Sequence, residues 1–486
     1  MIVSAVALSA LAGVVSAAPR MGPRGMRPNE PAVFGVPPIV LYDPVTNKTT
    51  ESTDYSLLPP HVTSPRFRLF LNPDGSGETK EEARAALEHL EAAYDCFVGD
   101  LGWNSTGLSV WNNEGKEPYY KTGISLIANV GGNFAGLAHY STRVWIQINS
   151  GSLYPSLTVH EWAHALQWHQ GNGWPSMDTY RVWGEAFAQW VADTYLTSDL
   201  CAAARAKHSL PAGDSLFNPY TTTARSYLAI VDGSPRDPIT GGNNYDAWPF
   251  LTYLTYNLDG WKGMGRDGVM ALTQQTPLGG NNETPLHVLQ KVLGDSATVQ
   301  QVVAKYWARM AYGDIGHPAV QRQTDESINS LNRDMWVRVS DGEYKSQPGR
   351  SPRYMGASYA RLLTNGDQPY TEGPGNQTSR VKVAIKDATG PYTATLVVRN
   401  KDSKEARYVA MPDGTVEADV SSREQATVAV VNTPPQLLSY VGVNMYGTPR
   451  NDSTLAPESE WDPANREITF SLSVSGGEVS IPHTVT

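Results

Sequence analysis

The chain has 486 residues, longer than one hydrophobic core ordinarily spans, so two or three domains are expected. Hydrophobic residues make up 40% and charged residues 18%, with 13 Trp and 24 Tyr, which excludes a disordered chain because this much apolar surface offsets the entropy of folding. A net charge of −10 argues against nucleic acid or an anionic membrane as partner, since both need a cationic face.

Ile2 to Val15 is a short apolar run, and Val15-Ser16-Ala17 supplies small residues of the kind a signal peptidase cuts after. Residues 1–17 are therefore read as a secretory signal peptide. No later stretch approaches the ~18 apolar residues of a membrane-spanning helix, and no hydrophobic tail suggests a lipid anchor. Acceptor sequons at Asn47, Asn104, Asn282, Asn376 and Asn451 fit an extracellular glycoprotein. Cys96 and Cys201, the only cysteines, are expected to form a disulfide there; neither has metal-ligand spacing.

Residues 18–60 are rich in Pro, lack periodicity and read as an extended arm or propeptide. A strand follows at Arg66–Leu71. Thr79-Lys80-Glu81-Glu82 is a capping box, and Ala83, Leu87, Leu90, Tyr94, Phe97 and Leu101 recur at helical spacing, predicting an amphipathic helix to about Asp100. Strands are predicted at Gly123–Ile127 and Arg143–Ile148. The run Gly131–Gly136 between them lacks the lysine and spacing of a nucleotide loop. Val144–Ile148 is a candidate sheet edge for an extended substrate, and His139 before it reads as a surface residue.

Pro155 suits the first position of a helix that runs to about His169 and is stopped by Gly171 and Gly173. Further helices are predicted at about 179–196, 246–258 and 286–312. From about residue 378 the runs Val381–Ile385, Thr393–Val398, Ala426–Val431 and Ile468–Val474 alternate with Gly, Pro, Asp and Asn turns, which predicts a β-sandwich module over 378–486.

The chemistry concentrates in His160-Glu161-Trp162-Ala163-His164. On a helix, residues four apart share a face, so both imidazoles can reach one ion. Glu161 lies ~100° round, flanking that ion, where a carboxylate can take a proton from water. Zinc suits neutral nitrogen ligands, and with an open fourth position it acidifies water and polarises a carbonyl. The competing structural reading is a buried helix whose histidines are satisfied by carbonyl oxygens.

Three residues compete for the third ligand position. His169 lies ~140° round the helix from His164 and faces away. Asp193 is the second. Glu185 is the third; it stands among small residues and large aromatics in Trp183-Gly184-Glu185-Ala186-Phe187-Ala188-Gln189-Trp190, an uncomfortable place for an unpaired charge. A metal accounts for it, and so does an ion pair with a residue such as Arg181. No Gly-x-Ser-x-Gly elbow occurs and neither cysteine sits in an activating context.

Two His and a Glu on one helix, then a Glu on the next, resemble the gluzincin zinc peptidases, the thermolysin-like and aminopeptidase-like enzymes. The resemblance covers about residues 144–196. Trp183-Gly184-Glu185-Ala186-Phe187-Ala188 is similar to the aminopeptidase pattern, with Gly184 where Asn is usual. From Phe67 to about residue 260 the chain also resembles uncharacterised secreted microbial proteins with this motif, which imply no activity. The gluzincin likeness implies His160, His164 and Glu185 as ligands and Glu161 as general base. Thermolysin-like enzymes place an Asp four residues after the ligand Glu. Gln189 stands there, with Asp193 one turn further on, and either is a candidate to orient His160 or His164. An oxyanion partner is expected from later in the chain, Tyr245 first and His317 second.

The expectation is an α+β protein: a mainly helical, zincin-like catalytic domain with a small mixed sheet over 61–350, then the β-sandwich. It would be secreted, carry Zn2+ and hydrolyse a protein or peptide substrate, with no nucleic-acid or membrane partner. Two other classes compete. One is a secreted binding or adhesion glycoprotein with a structural or inert zinc site; the other is a zinc hydrolase acting on a non-peptide substrate.

Overall fold

The computed structural model describes residues 30–43, 48–72, 77–109, 118–131, 134–140, 143–170, 183–228, 231, 243–275, 284–331, 335–364, 378–437 and 467–481. The signal segment and the sequons at Asn47, Asn282, Asn376 and Asn451 lie outside them. Helices combine with three five-stranded sheets, so the protein is mixed α and β. No helix among the described residues is long and apolar enough to cross a membrane. Two compact units divide the chain, Met1–His169 with Cys201–Pro211, and Gln170–Leu200 with Ala212–Thr486.

The first unit opens with a two-stranded hairpin, β1 (Ile39–Asp43) and β2 (Lys48–Ser52). Its main elements are β3 (His61–Thr63), β4 (Phe67–Phe70), α1 (Lys80–Tyr94), β5 (Thr122–Ile127), β6 (Gly136–Tyr140), β7 (Val144–Asn149) and α2 (Pro155–Trp168). The chain leaves it for α3 (Gly184–Thr197) and returns with α4 (Ala202–Lys207). The sheet has the order β3-β4-β5-β7-β6, with β4, β5 and β7 parallel and both outer strands antiparallel. Strands β5 and β7 bury every second residue, and α1 and α2 pack onto the sheet from that side. The Thr79–Glu82 capping box starts α1 as its sequence predicts. After Tyr94 the helix widens into a π-helical stretch at Asp95–Asp100.

Two expectations are corrected in this unit. Strand β7 is interior, because β6 pairs along its free side and takes the edge. Part of the Pro-rich segment belongs to the unit: Phe34 is buried against Tyr94 and Tyr119, and Gly35 bridges to Tyr120. The sequon at Asn104 is buried, which removes it as a glycan acceptor in the folded chain.

A disulfide joins Cys96 to Cys201, as expected, across 105 residues of chain. Such bonds persist in oxidising compartments. Charges reinforce the junction. Asp95 accepts from Lys207 at 2.6 Å and from His208 at 2.8 Å, and the other ring nitrogen of His208 meets Glu88.

The second unit runs α3, α5 (Asn243–Asp246), α6 (Trp248–Tyr256), α7 (Gly268–Gln275), α8 (Pro285–Leu293), α9 (Val299–Met310) and α10 (Pro318–Ser327). Its strands are β8 (Trp336–Ser340), β9 (Glu343–Ser346), β10 (Ala357–Leu363), β11 (Thr378–Lys386), β12 (Tyr392–Asn400), β13 (Ala406–Ala410), β14 (Thr415–Ser421), β15 (Glu424–Asn432), β16 (Ser471–Ser475) and β17 (Glu478–Val479). They form two antiparallel sheets, β13-β12-β15-β10-β17 and β14-β11-β16-β9-β8. Strands β8 to β10 therefore belong with the C-terminal sheets, which begin earlier than the turn pattern after residue 378 suggests. Helix α9 packs on β12 and β15, and the fully buried Arg399 of β12 is held by both carboxylate oxygens of Asp325 on α10.

Burial opposes the charge on His208, but its hydrogen bonds to the Asp95 and Glu88 carboxylates outweigh burial and raise the ring's pKa above 6.5. A raised folded-state pKa stabilises fully below the unfolded value and less as pH rises through the folded one. His208→Gln is therefore expected to lose stability against wild type chiefly below pH 6.5, with the gap closing at higher pH. Urea denaturation across a pH series measures it; a gap that widens with pH would contradict the assignment.

Candidate metal centre

Helix α2 begins at Pro155, whose missing N–H costs nothing at a helix start, and is buried on every side from Thr158 to Trp168. Trp162 anchors it. The indole sits among Phe67, Tyr94 and Phe97, at 6.3, 6.0 and 6.4 Å between ring centroids, and donates to Thr106 Oγ1 at 3.2 Å. Residues 160 and 164 project from the other side of the helix. Their rings stand edge to face, 5.0 Å apart, and His164 is also stacked with Trp168 at 6.1 Å.

Glu185 lies in the first turn of α3, where helix N–H dipoles complement a negative charge. The helix start is held in an uncommon way. Trp183, its N-cap, has the left-handed backbone (φ 67°, ψ −1°) that costs a bulky residue about 1–2 kcal/mol. Its indole N–H donates to the Val231 carbonyl at 2.8 Å and its ring meets Phe250 at 5.9 Å. These contacts offset the strain and fix where α3 begins. Arg181, the alternative partner for Glu185, lies outside the described residues.

His160, His164 and Glu185 each offer a ligand atom within 4.8 Å of the others, with both histidines buried and the glutamate half-buried. Among the described residues no other group of three His, Cys, Asp or Glu meets this condition. Two imidazoles and one carboxylate are a donor set that zinc takes with a fourth position open. Bonds of about 2.0–2.2 Å in a tetrahedron set ligand atoms roughly 3.4 Å apart, a spacing inside the 4.8 Å that bounds this cluster. On both counts the residues fit zinc.

Glu161 is 5% exposed and lies against the first residue of β6. A Cβ on Gly136 would stand 2.7 Å from Glu161 Oε1 and 2.8 Å from its Cγ. Only glycine lets the carboxylate occupy this place. The spacing of the motif carries no sign of Gly136, whose role follows from the edge strand that the sequence pattern does not reveal.

The remaining expected residues fall elsewhere. His169 is fully buried with its ring nitrogens on the Ala165 and Leu108 carbonyls, at 2.6 and 2.9 Å, a structural post consistent with its facing away from the motif. Asp193 accepts from His317 Nε2 at 2.8 Å and from Ser215 Oγ and the Leu216 N–H, both at 2.7 Å. His317 also caps α10, its Nδ1 accepting from the Val320 N–H at 3.3 Å. Asp193 and His317 thus serve each other; both ring nitrogens of His317 are engaged. Tyr245 is half-buried on α5, which packs against α3. Gln189 is half-buried on α3. His139 is stacked with Trp145 and bonded to Gln147.

No protein-family model matches the chain, and no curated protein matches it either.

Asp193→Ala is expected to cost about 3 kcal/mol by stranding His317 in the interior, with zinc content of the folded protein unchanged. Denaturation and metal analysis check both. Loss of zinc at unchanged stability would return Asp193 to the metal centre.

Proposed function

We propose that the protein is a secreted zinc metallopeptidase of gluzincin type, its first-unit sheet and helices forming part of a zincin-like catalytic domain and its two C-terminal sheets a β-sandwich. The observation that carries this reading is the convergence of His160, His164 and Glu185 beside a buried Glu161. The single disulfide and the signal-like N-terminus support secretion.

His160, His164 and Glu185 would hold the metal. Zinc, when bound, supplies a Lewis acid that polarises a carbonyl and makes water acidic near neutral pH. Glu161 takes the proton from the attacking water and later delivers it to the leaving amine. Its buried site, closed by the Gly136 backbone, gives the carboxylate one working position. Edge strand β6 offers unpaired backbone groups to an extended chain, which favours a peptide as substrate. Tyr245 is the residue assigned to the oxyanion; the engaged nitrogens of His317 leave it no free donor.

The test compares wild type with Glu161→Gln in zinc content and in cleavage of casein and a peptide library. Equal zinc with cleavage lower by about 10³-fold or more in the variant is expected. If both proteins bind zinc and neither cleaves, the peptidase reading loses to a binding protein with an inert site. Gly136→Val should also retain zinc and lose about 10²-fold in kcat, because its side chain displaces Glu161.

A further inference from the structure

Gln167 of α2 is 1% exposed, and among the described residues neither its Oε1 nor its Nε2 has a hydrogen-bond partner. A side-chain amide carries two donors and two acceptors, and burying it with none of them used is costly. Such groups are rare in folded chains, and a role tied to an ion or to catalysis is one reason they persist.

The helix places this amide beside the metal centre. At 3.6 residues per turn, position 167 falls about 20° from His160 and about 60° from His164 around the axis. Helical side chains lean toward the N-terminus, so the patch that residue 167 covers lies over the turn of His164. Residues three apart on a helix are neighbours in side-chain reach. Trp168 stands on the other side of His164, about 40° round the axis, and stacks on its ring with centroids 6.1 Å apart. Stacking fixes the tilt of the imidazole. It does not choose which ring nitrogen carries the proton, because that choice follows from the hydrogen bond the ring makes.

A metal takes one imidazole nitrogen and commits the proton to the other. Ligating histidines keep their orientation when that second N–H meets an acceptor. Oε1 of Gln167 is an acceptor within side-chain reach on the same helix, and being neutral it adds no buried charge.

We propose that Gln167 is a positioning residue of the metal centre: its Oε1 accepts the N–H of His164 and so turns the ring's other nitrogen to the metal. The inference rests on the zinc reading of His160, His164 and Glu185. Gln167 itself touches neither metal nor substrate in this role. An amide kept only for this bond weakens the fold and strengthens metal binding, so removing it moves two readouts in opposite directions.

The experiment measures zinc affinity of the full chain by chelator competition, and thermal denaturation of the chelator-treated protein. Gln167→Met substitutes an unbranched side chain with no amide to satisfy. It is expected to bind zinc about 10–100-fold more weakly, while the chelator-treated variant melts no lower than wild type. Gln167→Glu returns an acceptor at the same reach and is expected to bring the affinity back to within about threefold of wild type. Equal zinc affinity in Gln167→Met and wild type would overturn the proposal, as would a Gln167→Glu variant as weak as Gln167→Met. Weaker zinc binding together with a lower melting temperature in Gln167→Met would return the residue to a packing role. Should Gln167→Met not fold, Gln167→Asn decides: its amide falls one methylene short, and wild-type zinc affinity there refutes the role. A wild-type chain that binds no zinc fails the zinc reading, and this inference with it.

Discussion

Helix α2 is buried all round, so its rotation about its own axis decides which residues can do chemistry. Trp162 sets that rotation. Its indole is packed among three aromatic rings from β4, α1 and the π-helical stretch and hydrogen-bonded to Thr106. With residue 162 committed to the core, helical geometry sends His160 and His164 to the opposite side. Glu161, between the two directions, meets Gly136, the glycine that opens β6. A single aromatic anchor therefore orients two imidazole rings and a carboxylate together.

The centre is expensive to assemble, and its surroundings show where the stabilisation comes from. Buried charge and a strained N-cap oppose folding. In the second unit, Trp183 spends its indole on Val231 and Phe250 to hold the left-handed turn before Glu185. In the first, the long disulfide loop and the Asp95, Lys207 and His208 contacts tie α4 back to the end of α1. Arg399 with Asp325 and Asp193 with His317 satisfy buried charge elsewhere in the second unit.

Much of this was legible from residue spacing. The capping box, the proline at the start of α2, the alternation of β5 and β7 and the helical pitch of the His160–His164 pair are local signals, and each appears where its spacing places it. Strand β6 was not legible. Gly136–Tyr140 reads Gly-Leu-Ala-His-Tyr, too short and mixed to declare a strand, and it exists because β7 offers it a partner. The fates of His317 and Asp193 were equally hidden, since their pairing joins residues remote in sequence. His317 is the second oxyanion candidate by residue type, and the proline after it marks it as a helix cap.

The proposed function stands on two imidazoles and one carboxylate, from His160, His164 and Glu185, holding a zinc ion. X-ray absorption at the zinc edge on the purified full-length protein tests it most directly. About one zinc per chain is expected, with nitrogen and oxygen neighbours at about 2.0–2.2 Å, the outer-shell scattering of two imidazoles, and loss of that signature in His160→Ala. A protein that binds no zinc, or binds it with an unchanged spectrum in His160→Ala, would contradict it.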